Sequence, residues 1–111
     1  MYARVMTSSP KPGSAETAIA EWPQHIGAFK GKGLVAGYLF LDRAANQFLS
    51  ITIWESEEAQ KRNSTSREQI HGRAEFMKHL TGAPVPGTYE VAAVVKWEAC
   101  VARRRFFWVA G

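Results

Sequence analysis

Residues 33–54 constrain this chain more than any other stretch, because they read as two strands with no polar face on either. Residues 33–42 and 47–54 are rich in Val, Ile, Leu, Phe, Tyr and Thr, which suit a pleated sheet. Residues 43–46 gather the Arg and Asn that suit a turn. Strand side chains alternate between two faces. On the first strand Leu34, Ala36, Tyr38 and Phe40 share one side, and Val35, Leu39 and Leu41 the other. On the second, Leu49, Ile51 and Ile53 alternate with Phe48, Ser50, Thr52 and Trp54. An antiparallel sheet in a small monomer normally gives one face to water. Two apolar faces need two covers, and the chain has helices enough for one. The expected second cover is another copy of the same sheet, in a two-fold homodimer. Such an interface buries on the order of 800 Å² per partner. At about 25 cal/mol per Å² the gross gain is tens of kcal/mol, against association costs of roughly 4–15 kcal/mol.

The flanking segments supply the other cover. Residues 2–7 alternate as a first strand. Ser14 then stands as a helix N-cap with Glu16 in the first turn, and Ala18, Ile19, Trp22, Ile26 and Phe29 follow at helical spacing. Pro23 lies inside that pattern and is expected to kink or break the helix. Gly31 or Gly33 provides a left-handed exit. Beyond the hairpin, Ser56 caps a short helical piece, and Ser66 with Gln69 forms a capping box that opens another. The second piece is expected to bury Ile70, Ala74, Met77 and Leu80 or Thr81, with Phe76 beside them, and to stop at Gly82, Pro84 and Pro86. Residues 89–97 read as the last strand, with Tyr89, Val91, Ala93, Val95 and Trp97 on one face.

The order is therefore β-α-β-β-α-β, the split βαβ plan of ferredoxin-like α+β folds, with a four-stranded antiparallel sheet and both helices on one face. One domain covers 1–97. Residues 98–111 form a basic and aromatic tail, either an extra strand or a loose end.

Charge and cysteine usage narrow the function classes. The net charge of +4 is concentrated in residues 96–111, where Lys96, Arg103, Arg104 and Arg105 outweigh Glu98. The body has no basic stripe, so nucleic acid is not an expected partner. No run of apolar residues is long enough to span a membrane. A lone cysteine, Cys100, excludes an internal disulfide and suits a reducing cytoplasm. No spacing of His, Cys, Asp or Glu resembles a metal cage.

With Phe29-Lys-Gly-Lys-Gly33 leading into the second strand and Ile53-Trp54-Glu-Ser-Glu-Glu-Ala59 closing the third, residues 2–95 resemble the antibiotic-biosynthesis monooxygenase-like family. The resemblance implies a dimeric α+β barrel. It also implies oxygen-dependent oxidation of aromatic or quinone-like small molecules, often without metal or organic cofactor. The family's haem-degrading branch uses an Asn on the first strand, a Trp on the first helical piece after the third strand, and a His about ten residues later. Here residues 2–7 contain no Asn and residues 57–63 no Trp, which leaves His71 alone and disfavours haem breakdown.

Within that frame His71, flanking the buried stripe, is the candidate acid/base or ligand. Tyr38 and Trp54 are candidates to line an apolar slot between sheet and helices, with Trp22 and Trp97 also near the core. Arg4 is out of place on a strand unless paired, so it is a candidate to hold an anionic substrate group or a carboxylate such as Glu90. His25 and His79 read as surface residues and Arg73 as part of a solvated helix face. The alternative function is a non-catalytic barrel that binds a small apolar ligand or haem.

Overall fold

The structure is a computed structural model that describes residues 1–96. Strands β1 (Tyr2–Ser8), β2 (Leu34–Asp42), β3 (Gln47–Trp54) and β4 (Val85–Glu90) form one sheet. Helices α1 (Ala15–Gly27), α2 (Glu57–Ser64) and α3 (Arg67–Met77) complete the β-α-β-β-α-α-β order. The sheet order is β2-β3-β1-β4, with every pairing antiparallel. This is the ferredoxin-like α+β fold that the hairpin and its flanking helices imply. The expected tail, residues 98–111, lies outside the described residues.

The two caps after the hairpin form as their sequences require. Ser56 Oγ accepts from the Ala59 backbone N–H at 3.1 Å, and Ser66 Oγ accepts from that of Gln69 at 3.2 Å. Ser14 occupies the cap position of α1 without a side-chain bond. That helix runs through Pro23 unbroken. Ala18 and Trp22, both buried, hold it to the sheet across the one backbone bond that proline removes.

Both glycines of the exit are left-handed, Gly31 at φ 81° and Gly33 at φ 96°. Gly33 has a second reason to be glycine, since a Cβ there would meet the Ala59 Cβ at 2.7 Å. Its carbonyl also accepts from the Glu55 N–H at 2.8 Å, which ties the start of β2 to the end of β3. Gly33→Ala is therefore expected to cost about 2–4 kcal/mol, from positive-φ strain and overpacking together. Urea denaturation checks this. Gly27→Ala, where a Cβ meets nothing within 4 Å, should be neutral or stabilising by up to about 1 kcal/mol.

Three expectations are corrected. Pairing shifts register between Leu34 and Ala36: Leu34 lies opposite Trp54 and Ala36 opposite Ile53. The extra residue, Val35, turns Leu34 to the helix side, where it packs against Phe29, Trp54 and Ala59. Second, β4 begins at Val85 and ends at Glu90, and residues 91–96 are not strand. Pro86 and Gly87 argue against a strand in the sequence, but β4 is an edge, where a missing donor costs no ladder bond. Third, α3 has no fully buried side chain, and Ile70 is 56% exposed. Its anchors are Phe76, packed against the Phe48 cluster, and Leu80 just beyond its end.

The helix side of the sheet carries two apolar clusters rather than one. Ala18, Phe48 and Leu80 are buried with Ile19, Leu39, Leu41 and Phe76 around them. Phe29, Trp54 and Ala59 form the other, with Leu34. Along β3 the two are separated by Ser50 and Thr52, which face the helices between Phe48 and Trp54. Small polar residues there leave space in the middle of the core.

Among the described residues the opposite face has no helix. Val5 of β1, Tyr38 and Phe40 of β2, Leu49, Ile51 and Ile53 of β3, and Val85 and Tyr89 of β4 share it by register. Tyr38 and Phe40 stack at 6.1 Å between centroids and are each 51% exposed, while Val85 is 66% and Tyr89 59% exposed.

Candidate functional site

The space between the two clusters is a cavity of about 60 Å³. Its floor is the helix-facing side of β1 and β3: Arg4, Met6 and Ser8, with Ser50 and Thr52. Its walls are Trp22, His25 and Ile26 of α1, Gln69, Arg73, Phe76 and Met77 of α3, and Pro84. The spacing of these groups follows from local geometry. Arg4, Met6 and Ser8 share a face at strand period, and His25 follows Trp22 at i+3 on the inner side of α1. Trp22 reaches the sheet because β2 offers no side chain beneath it: a Cβ on Gly37 would lie 3.1 Å from both Trp22 Cη2 and Ile26 Cγ2.

His25 is held by its neighbours. Its ring meets Phe29 edge-on at 5.9 Å and lies directly over Gly72 of α3. A Cβ at Gly72 would overlap the Nδ1–Cε1 edge of that ring. Burial, then the Arg73 charge, then His71, holds the His25 imidazole below its ordinary value. At neutral pH it is therefore an unprotonated base.

The cavity is electropositive. Burial, then the Arg73 charge, pulls the Arg4 guanidinium below its usual range. Arg73 spends one nitrogen on the Ser64 carbonyl, which accepts from Nη2 at 3.1 Å. Its buried Nε has no hydrogen-bond partner among the described residues. Among the described residues no Asp or Glu lines the cavity. Glu90, a carboxylate suggested for Arg4, pairs in register with Tyr2, and Thr88 is the residue opposite Arg4.

Of the four sequence candidates, only Arg4 lines this cavity. Tyr38 lies on the helix-free face. Trp54 is buried beside the cavity, packed on Phe29 and Ala59, with its indole N–H donated to Thr52 Oγ1 at 2.9 Å. His71 is exposed in a wider groove on the outer side, with Glu21, Gln24, Glu68, Gly72 and Glu75. His25 and Phe76 line both the groove and the cavity. His25 and Arg73, read from sequence as surface residues, are the ones brought inward. The available signal was the Phe48-Leu-Ser-Ile-Thr-Ile-Trp54 pattern, which interrupts an apolar inner face with two hydroxyls. His79, also read as surface, bonds Glu21 across the helices at 3.2 Å. Among the described residues no group of His, Cys, Asp and Glu could hold a metal ion, and no helix is long and apolar enough to cross a membrane.

Residues 1–75 match the family model for antibiotic biosynthesis monooxygenase. The chain belongs to that family. Solved structures agree on the fold at low identity. SnoaB from Streptomyces nogalater, a cofactor-independent oxygenase, superposes with a TM-score of 0.72 at 14% identity, covering 86% of this chain and 97% of its own. Rv0793 from Mycobacterium tuberculosis gives 0.70 at 14% identity, covering 86% and 98%. A conserved protein from Methanosarcina mazei Go1 gives 0.70 at 11%, covering 80% and 90%. Comparison with curated proteins finds no match. Identities this low establish shared architecture and leave the chemistry to be argued from the family member's own residues.

Proposed function

We propose that this family member is a small homodimeric monooxygenase acting on an aromatic or quinone-like molecule without metal or organic cofactor. The observation that carries the proposal is a cavity inside the helix-side core whose lining brings together His25, Arg4 and Arg73. A phenolic or enolic substrate gives its proton to His25. The resulting anion is favoured by the Arg4 and Arg73 charges in surroundings where water is scarce and electrostatic effects are large. Trp22, Phe76 and Met77 supply apolar walls for a flat ring. An electron-rich anion reduces dioxygen directly. For a ring methylene, CH₂ + O₂ → C=O + H₂O balances with the substrate as the sole reductant, one oxygen atom entering the ring and the other leaving as water.

The proton-moving role first assigned to His71 passes to His25, because His71 stands outside the cavity. Tyr38 and Trp54 leave the list of substrate contacts. Tyr38 serves the dimer instead, since the helix-free face carries only apolar and aromatic groups at its centre. A monomer rarely exposes a continuous apolar patch of that extent. Oxygen uptake with a panel of dihydroxyaromatics and anthrone-type ketones tests the activity. Consumption that requires both protein and substrate, and survives chelator treatment, supports the reading. No uptake across the panel would contradict it.

A further inference from the structure

A cavity that contains two arginines and no acid is costly to the protein that builds it. Buried charge is normally paired, and like charges facing one space repel. Here Arg4 comes from the middle of β1 and Arg73 from α3, so two separate elements bring cations to one small volume. Arg73 has a buried Nε with no hydrogen-bond partner among the described residues. The remaining polar groups around them, Ser8, Ser50, Thr52 and Gln69, are neutral. Such an arrangement is complementary to an oxyanion, and a planar guanidinium suits a carboxylate best.

We infer that the substrate is already an anion when it enters: a hydroxyaromatic acid whose carboxylate sits between Arg4 and Arg73, with its ring beside Trp22 and Phe76. The inference rests on the cavity being the functional site, and adds the substrate class to that reading. Size supports a head-group site. A volume of about 60 Å³ holds a carboxylate and the edge of a ring, given that a water takes about 30 Å³ and a benzene-sized cavity is about 150 Å³. The rest of the ring passes His25 and Phe76, the two residues shared with the outer groove. A ring hydroxyl beside the carboxylate then meets the His25 base. The deformable wall is α3, which buries none of its side chains fully and offers Met77 as a flexible filler. The groove's rim carries Glu21, Glu68 and Glu75, so a second carboxylate at the far end of the ligand is repelled.

Calorimetric titration of the wild-type protein with 2-hydroxybenzoate, 2-hydroxybenzamide and inorganic phosphate, at fixed ionic strength, tests this. The acid is expected to bind at least about tenfold more tightly than the amide, and phosphate weakly. Equal affinity for acid and amide, or no binding of the acid, would overturn it. Tighter binding of phosphate than of the acid would also overturn it, by showing a site for any anion. Arg4→Met and Arg73→Met are each expected to lose at least about tenfold in affinity for the acid. Arg4→Met should also melt higher than wild type without ligand, because it removes a half-buried charge that has no acidic partner among the described residues. Unchanged affinity in a folded Arg4→Met protein would overturn the assignment. Should a variant not fold, the acid-against-amide comparison on wild type still decides. Binding of the acid without oxygen uptake by any hydroxyaromatic acid would leave the anion site standing and remove the oxidation.

Discussion

Replacing His25 with Ala should lower oxygen uptake by about 10²–10⁴-fold, the usual contribution of a positioned general base. His71→Ala should change it less than about threefold, since His71 acts only through a weak charge on its neighbour. The pH profile carries the same distinction. With its value lowered by burial, Arg73 and His71, His25 stays unprotonated down past the ordinary 6.5. Activity should therefore hold through neutral pH and fall on an acid limb lying below 6.5. Glu21 and Gln24 on α1, and Glu68 and Glu75 on α3, border the groove next to His25. With those three carboxylates in place, the net direction at His25 is still downward.

Stability follows with a fixed sign. Above the unfolded value both states are neutral at this site, and it contributes nothing. As pH falls through about 6.5 the unfolded chain takes the proton first, and the loss of stability grows until the folded value is passed and stays at its full size below it. His25→Gln should flatten that acid loss. Gly72→Ala offers a check that leaves His25 in place chemically. It should gain up to about 1 kcal/mol of helix propensity, yet drive the His25 ring out of its seat and lose most of the activity. A Gly72→Ala protein with full activity would show that the seat does not matter.

Ile51→Lys should turn a dimer into a monomer or an aggregate. Ile51 lies on β3, with Val5 of β1 on one side and Tyr38 of β2 on the other, at the middle of the helix-free face. In a two-fold interface the substitution enters twice and sets two ammonium groups in an apolar layer. Desolvation costs several kcal/mol per ion, so the dissociation constant should rise by at least about a thousandfold. Sedimentation equilibrium measures it. The substituted side chain points away from the cavity, so binding of 2-hydroxybenzoate by any folded monomer should change little. A wild-type protein that sediments as a monomer would end the barrel assignment.

The hairpin was legible in the sequence because both of its faces are apolar over a full strand length, a pattern few other folds tolerate. The caps were legible too, since Ser56 and Ser66 each have a backbone donor three residues on. Legibility failed where a tertiary feature overrides a local rule. Nothing in residues 33–36 announces the bulge that turns Leu34 inward. Pro86 argues against a strand unless one knows that β4 is an edge. The α3 stripe looked buried because Ile70, Ala74 and Met77 have the right period, but α3 turns Gln69, Arg73 and Phe76 inward and leaves Ile70 and Ala74 exposed. For the same reason the site was only partly legible. Arg4 stood out as a charge on a strand. His25 and Arg73 became inward-facing only through the approach of α1 to α3 at Gly72, and one helix alone does not encode that approach.

A crystal structure of the wild-type protein with 2-hydroxybenzoate would test the central claim most directly. The carboxylate is expected between the Arg4 and Arg73 guanidiniums, and the ring hydroxyl within hydrogen-bond distance of His25. Ligand seated instead on the sheet face of Tyr38 and Phe40, or a cavity closed by Phe76 and Met77 with the arginines turned to solvent, would contradict it.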